Sequence, residues 1–253
     1  MKLYVGAQKY KPDGFKTVDI DDTHSPDIVA DVTNMPQIES NSADEVVAGH
    51  VLEHIDWPDS FKAIAEFTRV LKIGGKLRIS IPDMSSLMRM VLSGDSVFHV
   101  MGLIYGVGGR ENRFEQHRYG FTAGMIVDIL ESLGYSDFNW WNSPFGDASN
   151  GWVPRYDGDH CAMSLNVSAV KRTEPCVNPA DMYEQLVRRP LGDYSAIAAD
   201  IATQSFDHDL AAAPKLYQRI HYQLIEARQR SFYLEEEVRR RDEEIQALKE
   251  TKS

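Results

Sequence analysis

The chain has 253 residues and a formal net charge of −11, with 43% hydrophobic and 26% charged residues. This length and composition predict one α/β domain with a sizeable core plus an appendage, and no apolar run approaches the roughly 18 residues that a membrane span needs. The acidic balance argues against a nucleic acid substrate, because proteins that track phosphates need a basic surface. We therefore expect neither a nucleic acid partner nor an integral membrane segment.

The N-terminus and the cysteines predict the location. The first residues, MKLYVGA, enter a strand directly, so no secretory signal is expected. Cys161 and Cys176 make neither a disulfide framework nor a metal-ligand pattern. The sequence thus predicts a cytoplasmic protein.

Residues 3–48 predict four strands separated by short connections. The predicted strands are Leu3–Val5, Phe15–Ile20, Asp27–Ala30 and Val46–Ala48. Only about eight residues separate the first strand from the second, which is too few for a full crossover helix. The first crossover is therefore predicted to be a loop or a single turn.

The stretch Ala43–Asp83 predicts a strand, a helix and a second strand. Pro58-Asp59 opens an amphipathic segment, and Gly74-Gly75 is predicted to end it. The apolar positions of that segment recur at helical spacing: Phe61, Ile64, Phe67, Thr68 and Leu71. The following strand alternates through Leu77, Ile79 and Ile81. Such βαβ units build parallel sheets with right-handed crossovers.

The rest of the predicted domain runs to residue 172. Residues 84–120 have a loose helical pattern and are interpreted as a lid on the acceptor side. Phe121–Leu133 is predicted as a helix, with Thr122 as its N-cap and Gly134 as its stop. Phe138–Trp141 and Ala162–Val170 are predicted strands.

The composition changes beyond residue 172. Residues 173–212 are interpreted as a linker with short helices, and residues 213–253 as one long helix. Apolar positions in its 213–248 part recur at alternating spacings of four and three, as in a coiled coil. A helix this polar is marginal alone, so we predict a homo-oligomer or a partner protein through residues 213–248; a single frayed helix is the alternative.

Polar residues follow several predicted strands at one edge of the sheet. In open α/β sheets ligands bind at the carboxyl ends of the strands. Gly6-Ala7 offers close backbone approach after the first strand, and Asp19 offers an acceptor for ribose hydroxyls after the second. Asp31 follows the third strand, where a polar group can form a hydrogen bond with the base of a nucleotide. These positions predict a nucleotide-like ligand.

These motifs resemble those of class I S-adenosylmethionine (SAM)-dependent methyltransferases, of the type 11 kind. The stretch HVLEHI…EFTRVLKIGGKLRISIPD is similar to the region from the fourth to the fifth strand in that family. Gly14-Phe15 with Val18-Asp19 resembles the family's GF-x-x-VD strand, and Asp31–Pro36 resembles its D-[LV]-x-x-[LM]-P motif. The resemblance covers residues 1 to about 170. It implies a Rossmann-like, mostly parallel sheet with an antiparallel seventh strand, followed here by the helical tail.

The resemblance also implies the cofactor and the residues that bind it. SAM is the expected cofactor, with Asp19 on the ribose hydroxyls, Asp31 and Val32 on the adenine, and His50 and Leu52 on the methionine side. The full predicted set is Gly6, Ala7, Asp19, Ile20, Asp31, Val32, His50 and Leu52. Gln8 departs from the family, since it stands where a second glycine often lies. No G-x-G-x-x-G exists here, which disfavours a dinucleotide.

Methyl transfer from a sulfonium is an in-line displacement, so positioning supplies much of the catalysis. A hydroxyl acceptor also needs a base, and His117 is the predicted catalytic residue because an unperturbed histidine titrates near neutral pH. His99, Tyr105 and His160 are weaker candidates. Glu53 and His54 are interpreted as structural, and no metal site is predicted from the spacing of the glutamates and histidines.

The closest resemblance is to uncharacterised methyltransferases associated with bacterial surface-glycan synthesis. It implies a sugar hydroxyl as the methyl acceptor. Two alternatives stay open. One is a methyltransferase that acts on a small secondary metabolite. The other is a catalytically silent methyltransferase-like scaffold that works through its coiled-coil tail.

Overall fold

The computed structural model describes residues 1–57, 59–93, 97–106, 115–144, 152–154 and 160–175. The predicted linker beyond residue 175 and the predicted long helix at 213–253 lie outside these ranges. Within them, no helix is long and apolar enough to cross a membrane.

The strands are β1 (Lys2–Val5), β2 (Lys16–Asp19), β3 (Ile28–Val29), β4 (Ala43–Gly49), β5 (Leu71–Pro82), β6 (Tyr135–Trp140), β7 (Trp152–Pro154), β8 (His160–Ala162) and β9 (Ser164–Lys171). The helices are α1 (Asp59–Val70), α2 (Met84–Ser93), α3 (Val97–Tyr105) and α4 (Ala123–Ser132). Seven strands form one sheet in the order β3-β2-β1-β4-β5-β9-β6, and β7 pairs with β8 separately.

The large sheet is parallel from β3 to β5 and carries one antiparallel strand, β9, between β5 and β6. This confirms the predicted class I methyltransferase-like sheet. Residues 6–15, all of them described, join β1 to β2 without a helix. The predicted loop crossover is therefore confirmed as well.

The main core lies between the sheet and the helices α1 and α4. Alternate residues of β1 and β4 face it, among them Leu3, Val5 and Val46, and α1 buries Ile64 and Phe67 against them. Burial of apolar side chains on one face is what the period of two in a strand and of 3.6 in a helix predicts. A second, smaller cluster around Leu87, Met90 and Val100 joins α2 to α3.

The end of α1 differs from the prediction. The helix ends at Val70, four residues before Gly74, and β5 begins at once. The physical reason is a buried lysine: Lys171, with no exposed surface, donates from Nζ to the carbonyls of Thr68 and Leu71 at 3.0 Å each. A distant cation thus satisfies carbonyls that a continued helix would use.

Gly74 and Gly75 lie inside the irregular start of β5. Ala43 pairs with Leu71 but Glu45 pairs with Lys76, so the residues between form an excursion in the strand. Gly74 has a φ of +84°, and a Cβ on Gly75 would lie 2.8 Å from the carbonyl oxygen of Lys72. Both positions favour glycine because of this turn rather than a helix end.

The helix after residue 121 follows the prediction closely. Thr122 is the N-cap of α4, and its side chain accepts a hydrogen bond from the amide of Met125. Gly134 follows the helix with a φ of +83°. The predicted cap and stop are confirmed.

Candidate active site

A cavity of about 440 Å³ opens at the carboxyl edge of the parallel strands. Strands β1, β2 and β4 end at this edge and contribute Gly6, Asp19 and His50 to its wall. The loop after β3 adds further residues, and so does the segment after β4. The lining residues from these two segments are Ala30, Asp31, Val32, Thr33, Val51, His54, Ile55, Asp56 and Asp59. A ligand site at this edge is the general expectation for such a sheet.

Asp19 is held at the cavity by backbone amides. Its Oδ2 accepts from Gln8 N at 2.7 Å and its Oδ1 from Asp21 N at 2.9 Å, and the residue is 6% exposed. An ionised carboxylate has about four lone-pair sites, so lone pairs remain for a ligand's hydroxyl groups. His24 also lines the cavity, with Nδ1 3.6 Å from Asp19 Oδ1.

The loop after β1 shows what replaces the family's second glycine. Gln8 has a φ of +47°, the left-handed conformation that glycine adopts without steric cost. Its amide nevertheless makes the hydrogen bond to Asp19. Gly6 is required by packing as well as by its φ of +65°, since a Cβ there would lie 2.3 Å from Val51 Cγ2. The loop keeps the glycine-like path even though Gln8 is not glycine.

The loop after β3 is fastened to α1. Asp31 Oδ1 accepts from the amide and the hydroxyl of Thr33, which closes a tight local turn. Further on, Glu66 accepts from the amide of Met35 at 2.6 Å, and Arg69 donates to the carbonyls of Met35 and Ile38. Burial would raise the pKa of Glu66, but the hydrogen bonds from Arg69 and Met35 lower it.

His50 lies at the end of β4 with a φ of +54°. Its Nδ1 is 2.8 Å from Glu53 Oε1, and its Nε2 is 3.0 Å from Ser164 Oγ on β9. A carboxylate only accepts, so Nδ1 carries the proton in the bond to Glu53. The ring is thereby fixed between two elements at the wall of the cavity.

Glu53 is a buried carboxylate, and among the described residues only one of its two oxygens has a hydrogen-bond partner. It is 1% exposed, and its Oε2 has no hydrogen-bond partner among the described residues. Burial would raise the pKa of Glu53, but the charge and hydrogen bond of His50 and the charge of His54 together lower it. The carboxylate is therefore ionised at neutral pH, with one oxygen unpaired.

His54 and His117 contact each other edge to face, with ring centroids 4.9 Å apart. The Nδ1 of His54 lies 3.2 Å from the carbonyl oxygen of Gln116, and the Nδ1 of His117 lies 2.7 Å from that of Leu103. Burial lowers the pKa of His117 more than Glu53 and the Leu103 carbonyl raise it. His117 is thus neutral at neutral pH. One ligand atom each of Glu53, His54 and His117 lies within 4.8 Å of the others.

The family model of a methyltransferase domain matches residues 7–79. That range holds the ends of β2 and β4 and most of the cavity wall. The chain carries a methyltransferase domain. This match agrees with the predicted family over residues 7–79, and the predicted enzyme class and the cofactor SAM are consistent with it.

Solved structures resemble this methyltransferase domain at low identity. A SAM-dependent methyltransferase from Archaeoglobus fulgidus is 16% identical over 56% of this chain and 64% of that chain, with a TM-score of 0.40. One from Methanosarcina mazei is 16% identical over 68% and 92%, with a TM-score of 0.46. The 1,6-didemethyltoxoflavin-N1-methyltransferase of Burkholderia thailandensis, solved with its substrate and S-adenosylhomocysteine, is 15% identical over 68% and 71%, with a TM-score of 0.41.

Likeness at this level assigns neither an acceptor nor residue roles to this chain. This chain spans less than two thirds of the Archaeoglobus protein. No curated protein matches the chain.

The structure gathers most of the predicted cofactor residues at this one cavity. Those that line it are Gly6, Asp19, Ile20, Asp31, Val32 and His50. Ala7 and Leu52 are not among the described lining residues, because both are buried in the core, 3% and 0% exposed. His117 is not among them either; in the part of the chain that the structure describes, its ring contacts the lining residue His54, and the next residue, Arg118, lines the cavity.

Sequence reasoning missed two features of this site. It interpreted Glu53 and His54 as structural, yet His54 lines the cavity and Glu53 positions His50. It also assigned nothing to His24, which lines the cavity too. The HVLEHI motif could have indicated the first pair, since it places three titratable groups within five residues after a strand. Tyr105 is 65% exposed, and the side chains of His99 and His160 lie outside what the structure describes.

Proposed function

We propose that this chain transfers the methyl group of SAM to a hydroxyl group of a sugar in glycan biosynthesis. The observation that carries the proposal is the buried Asp19 carboxylate at the end of β2, held by two backbone amides with lone pairs left for a diol. A carboxylate in this position is suited to the two hydroxyls of a ribose.

The residues at the cavity fit SAM. Its volume of about 440 Å³ lies within the range of small-ligand sites. Ile20, 51% exposed beside Asp19, presents an apolar surface in the wall, and Val32 offers a second one. We assign the adenine to Ile20 and Val32 with Asp31, the ribose to Asp19, and the methionine side to Gly6 and His50. When bound, SAM supplies a methyl group on a positively charged sulfur.

The acceptor side is assigned to the acidic end of the cavity. Asp56 and Asp59 line it together with Arg118, whose Nη1 lies 2.6 Å from Asp56 Oδ1. Carboxylates accept hydrogen bonds from sugar hydroxyls, and an arginine offers several donors in return. These residues orient a polyhydroxylated acceptor, and orientation supplies much of the rate in a displacement reaction.

Three finer assignments stay predictions. His117 as the acceptor's base is supported by a neutral imidazole, but it meets the cavity through His54. The cytoplasmic location and the partner bound through residues 213–248 rest on the sequence alone.

The test uses the full chain, SAM and a panel of acceptors. Calorimetry should first detect SAM binding. Methyl-labelled SAM should then transfer its label to a nucleotide sugar, with release of S-adenosylhomocysteine. Absence of SAM binding would favour the silent scaffold, and transfer only to non-sugar metabolites would favour the second alternative. The acidic residue Asp59 offers a matched variant, since Asp59→Asn should lower the affinity for the acceptor and leave SAM binding unchanged.

A further inference from the structure

We propose that Glu53, His54 and His117 hold a divalent transition metal ion, with zinc as the first choice. One ligand atom from each residue lies within 4.8 Å of the others. The three come from two distant stretches of chain: the turn after β4, and the segment that follows residue 115. Their spacing in the sequence therefore shows no metal motif.

The donor set suits zinc. Two imidazole nitrogens and one carboxylate oxygen are the three protein ligands of a common kind of catalytic zinc site, which keeps a fourth position open. Imidazole nitrogen favours zinc, copper, nickel and iron over magnesium and calcium, which prefer oxygen alone. The cluster thus selects for a transition metal.

The hydrogen bonds of the two histidines leave the Nε2 atom of each ring available to bind a metal ion. A backbone carbonyl only accepts, so the Nδ1 of His54 and the Nδ1 of His117 carry the protons in their bonds to Gln116 and Leu103. The lone pair then lies on Nε2 of each ring. Metal-binding histidines almost always donate their other nitrogen to a carbonyl or carboxylate in this way, which fixes the ring for the metal.

An independent observation comes from the glutamate. Glu53 Oε2 is buried and lacks a hydrogen-bond partner among the described residues, although Oε1 is held by His50. A buried charged oxygen without a partner is costly, and proteins pair such groups or coordinate metals with them. A cation between Glu53 and the two Nε2 atoms would satisfy this oxygen, and His50 would orient the carboxylate from behind.

The location suggests what the ion does, and this part rests on the proposed function. His54 belongs both to the cluster and to the cavity wall. With an ion held there, its open coordination position would take the acceptor's hydroxyl oxygen and favour loss of the hydroxyl proton to solvent water, as bound metals do for water. The oxygen would keep the O–H electron pair and form the new O–C bond to the methyl group, while the C–S bond of SAM breaks and its electron pair goes to the sulfur of S-adenosylhomocysteine. His117 would then act as a ligand rather than as the base.

The experiment measures metal binding without SAM and without acceptor. The full chain, stripped with a chelator, is titrated with Zn²⁺ by calorimetry and with Co²⁺ by visible absorption. We expect one ion per chain and the absorption bands of Co²⁺ bound by nitrogen and oxygen in a four- or five-coordinate site. His54→Ala and His117→Ala should each weaken binding at least about tenfold, since even outer-shell changes have effects of that size.

Two further variants make the result decisive. Glu53→Gln keeps the shape of the side chain and should also weaken metal binding. Circular dichroism checks whether this variant folds. If it does not fold, the metal affinity of His54→Ala decides the question. His24→Ala removes a histidine of the same cavity outside the cluster and should bind metal as the wild type does. Absence of binding, or equal binding by all variants, overturns the proposal. Metal binding without methyl transfer would overturn only the proposed function and the ion's role in it.

Discussion

Two adjoining regions of this methyltransferase satisfy their charged groups in different ways. The strand-end rim, formed by Gly6, Asp19 and the loop after β3, pairs its carboxylates with amides of neighbouring residues. The histidine cluster of Glu53, His54 and His117 leaves a carboxylate oxygen unpaired, and its rings are fixed by carbonyls of Gln116 and Leu103.

The difference shows how each region is organised. The rim is ordered by strand ends that belong to the sheet itself, so it is pre-organised for a ligand whatever covers it. The cluster forms only when Leu103 and residues 116–118 come together with the turn after β4. We expect changes in the rim to alter cofactor affinity and changes in the cluster to alter the rate.

The largest expected effect is on the rate of methyl transfer in His117→Ala. Loss of a group that activates the acceptor should lower kcat by about 10²–10⁴-fold, while the Kd for SAM stays within about twofold because His117 is outside the rim. Single-turnover kinetics and calorimetry measure the two quantities. Tyr105→Phe is the control, since the backbone carbonyl of Tyr105 accepts from the amide of His117 while its ring is exposed. A matching loss of SAM affinity in His117→Ala would contradict the expectation that the cluster affects the rate and the rim affects cofactor binding.

The next effect is on SAM binding in Asp19→Ala. Hydrogen bonds to a charged group contribute about 1.5–3 kcal/mol, so the Kd for SAM should rise about tenfold or more. Asp22→Ala removes an exposed carboxylate a few residues away and should leave the Kd unchanged. Zn²⁺ binding to the cluster should persist in Asp19→Ala. An unchanged Kd in the folded variant would remove Asp19 from the cofactor site.

The smallest effect is on stability in Gln8→Gly. A left-handed non-glycine residue costs about 1–2 kcal/mol, and glycine's greater freedom in the unfolded chain offsets about half of that or more. We expect a gain in the free energy of unfolding of at most about 1 kcal/mol, measured by urea titration, with unchanged SAM affinity. Gln37→Gly, in the loop after β3, is the comparison variant and should not stabilise, since Gln37 does not have the positive φ of Gln8. A loss of SAM affinity in Gln8→Gly would show that the glutamine side chain itself contributes to the rim.

Local sequence patterns were sufficient where the structure depends on near neighbours. Thr122 and Gly134 bound α4 as predicted, and the short interval after β1 does exclude a helix. The strand-end residues Asp19 and His50 reach one cavity because neighbouring parallel strands end at the same edge. The predicted end of α1 was wrong because Lys171, about a hundred residues away, binds the carbonyl of Thr68 in the last turn and that of Leu71 just after the helix.

The sequence by itself determined the strands of the large sheet with α1 and α4, the resemblance to methyltransferases and the rim of strand-end residues. All three follow from periodicity and motifs within short windows of chain. Only the tertiary structure decided that Ala7 and Leu52 are buried, that α1 ends at Val70, and that His117 meets Glu53 and His54. Each of these depends on contacts between residues far apart in the chain, whose distances are fixed by packing rather than by any local pattern.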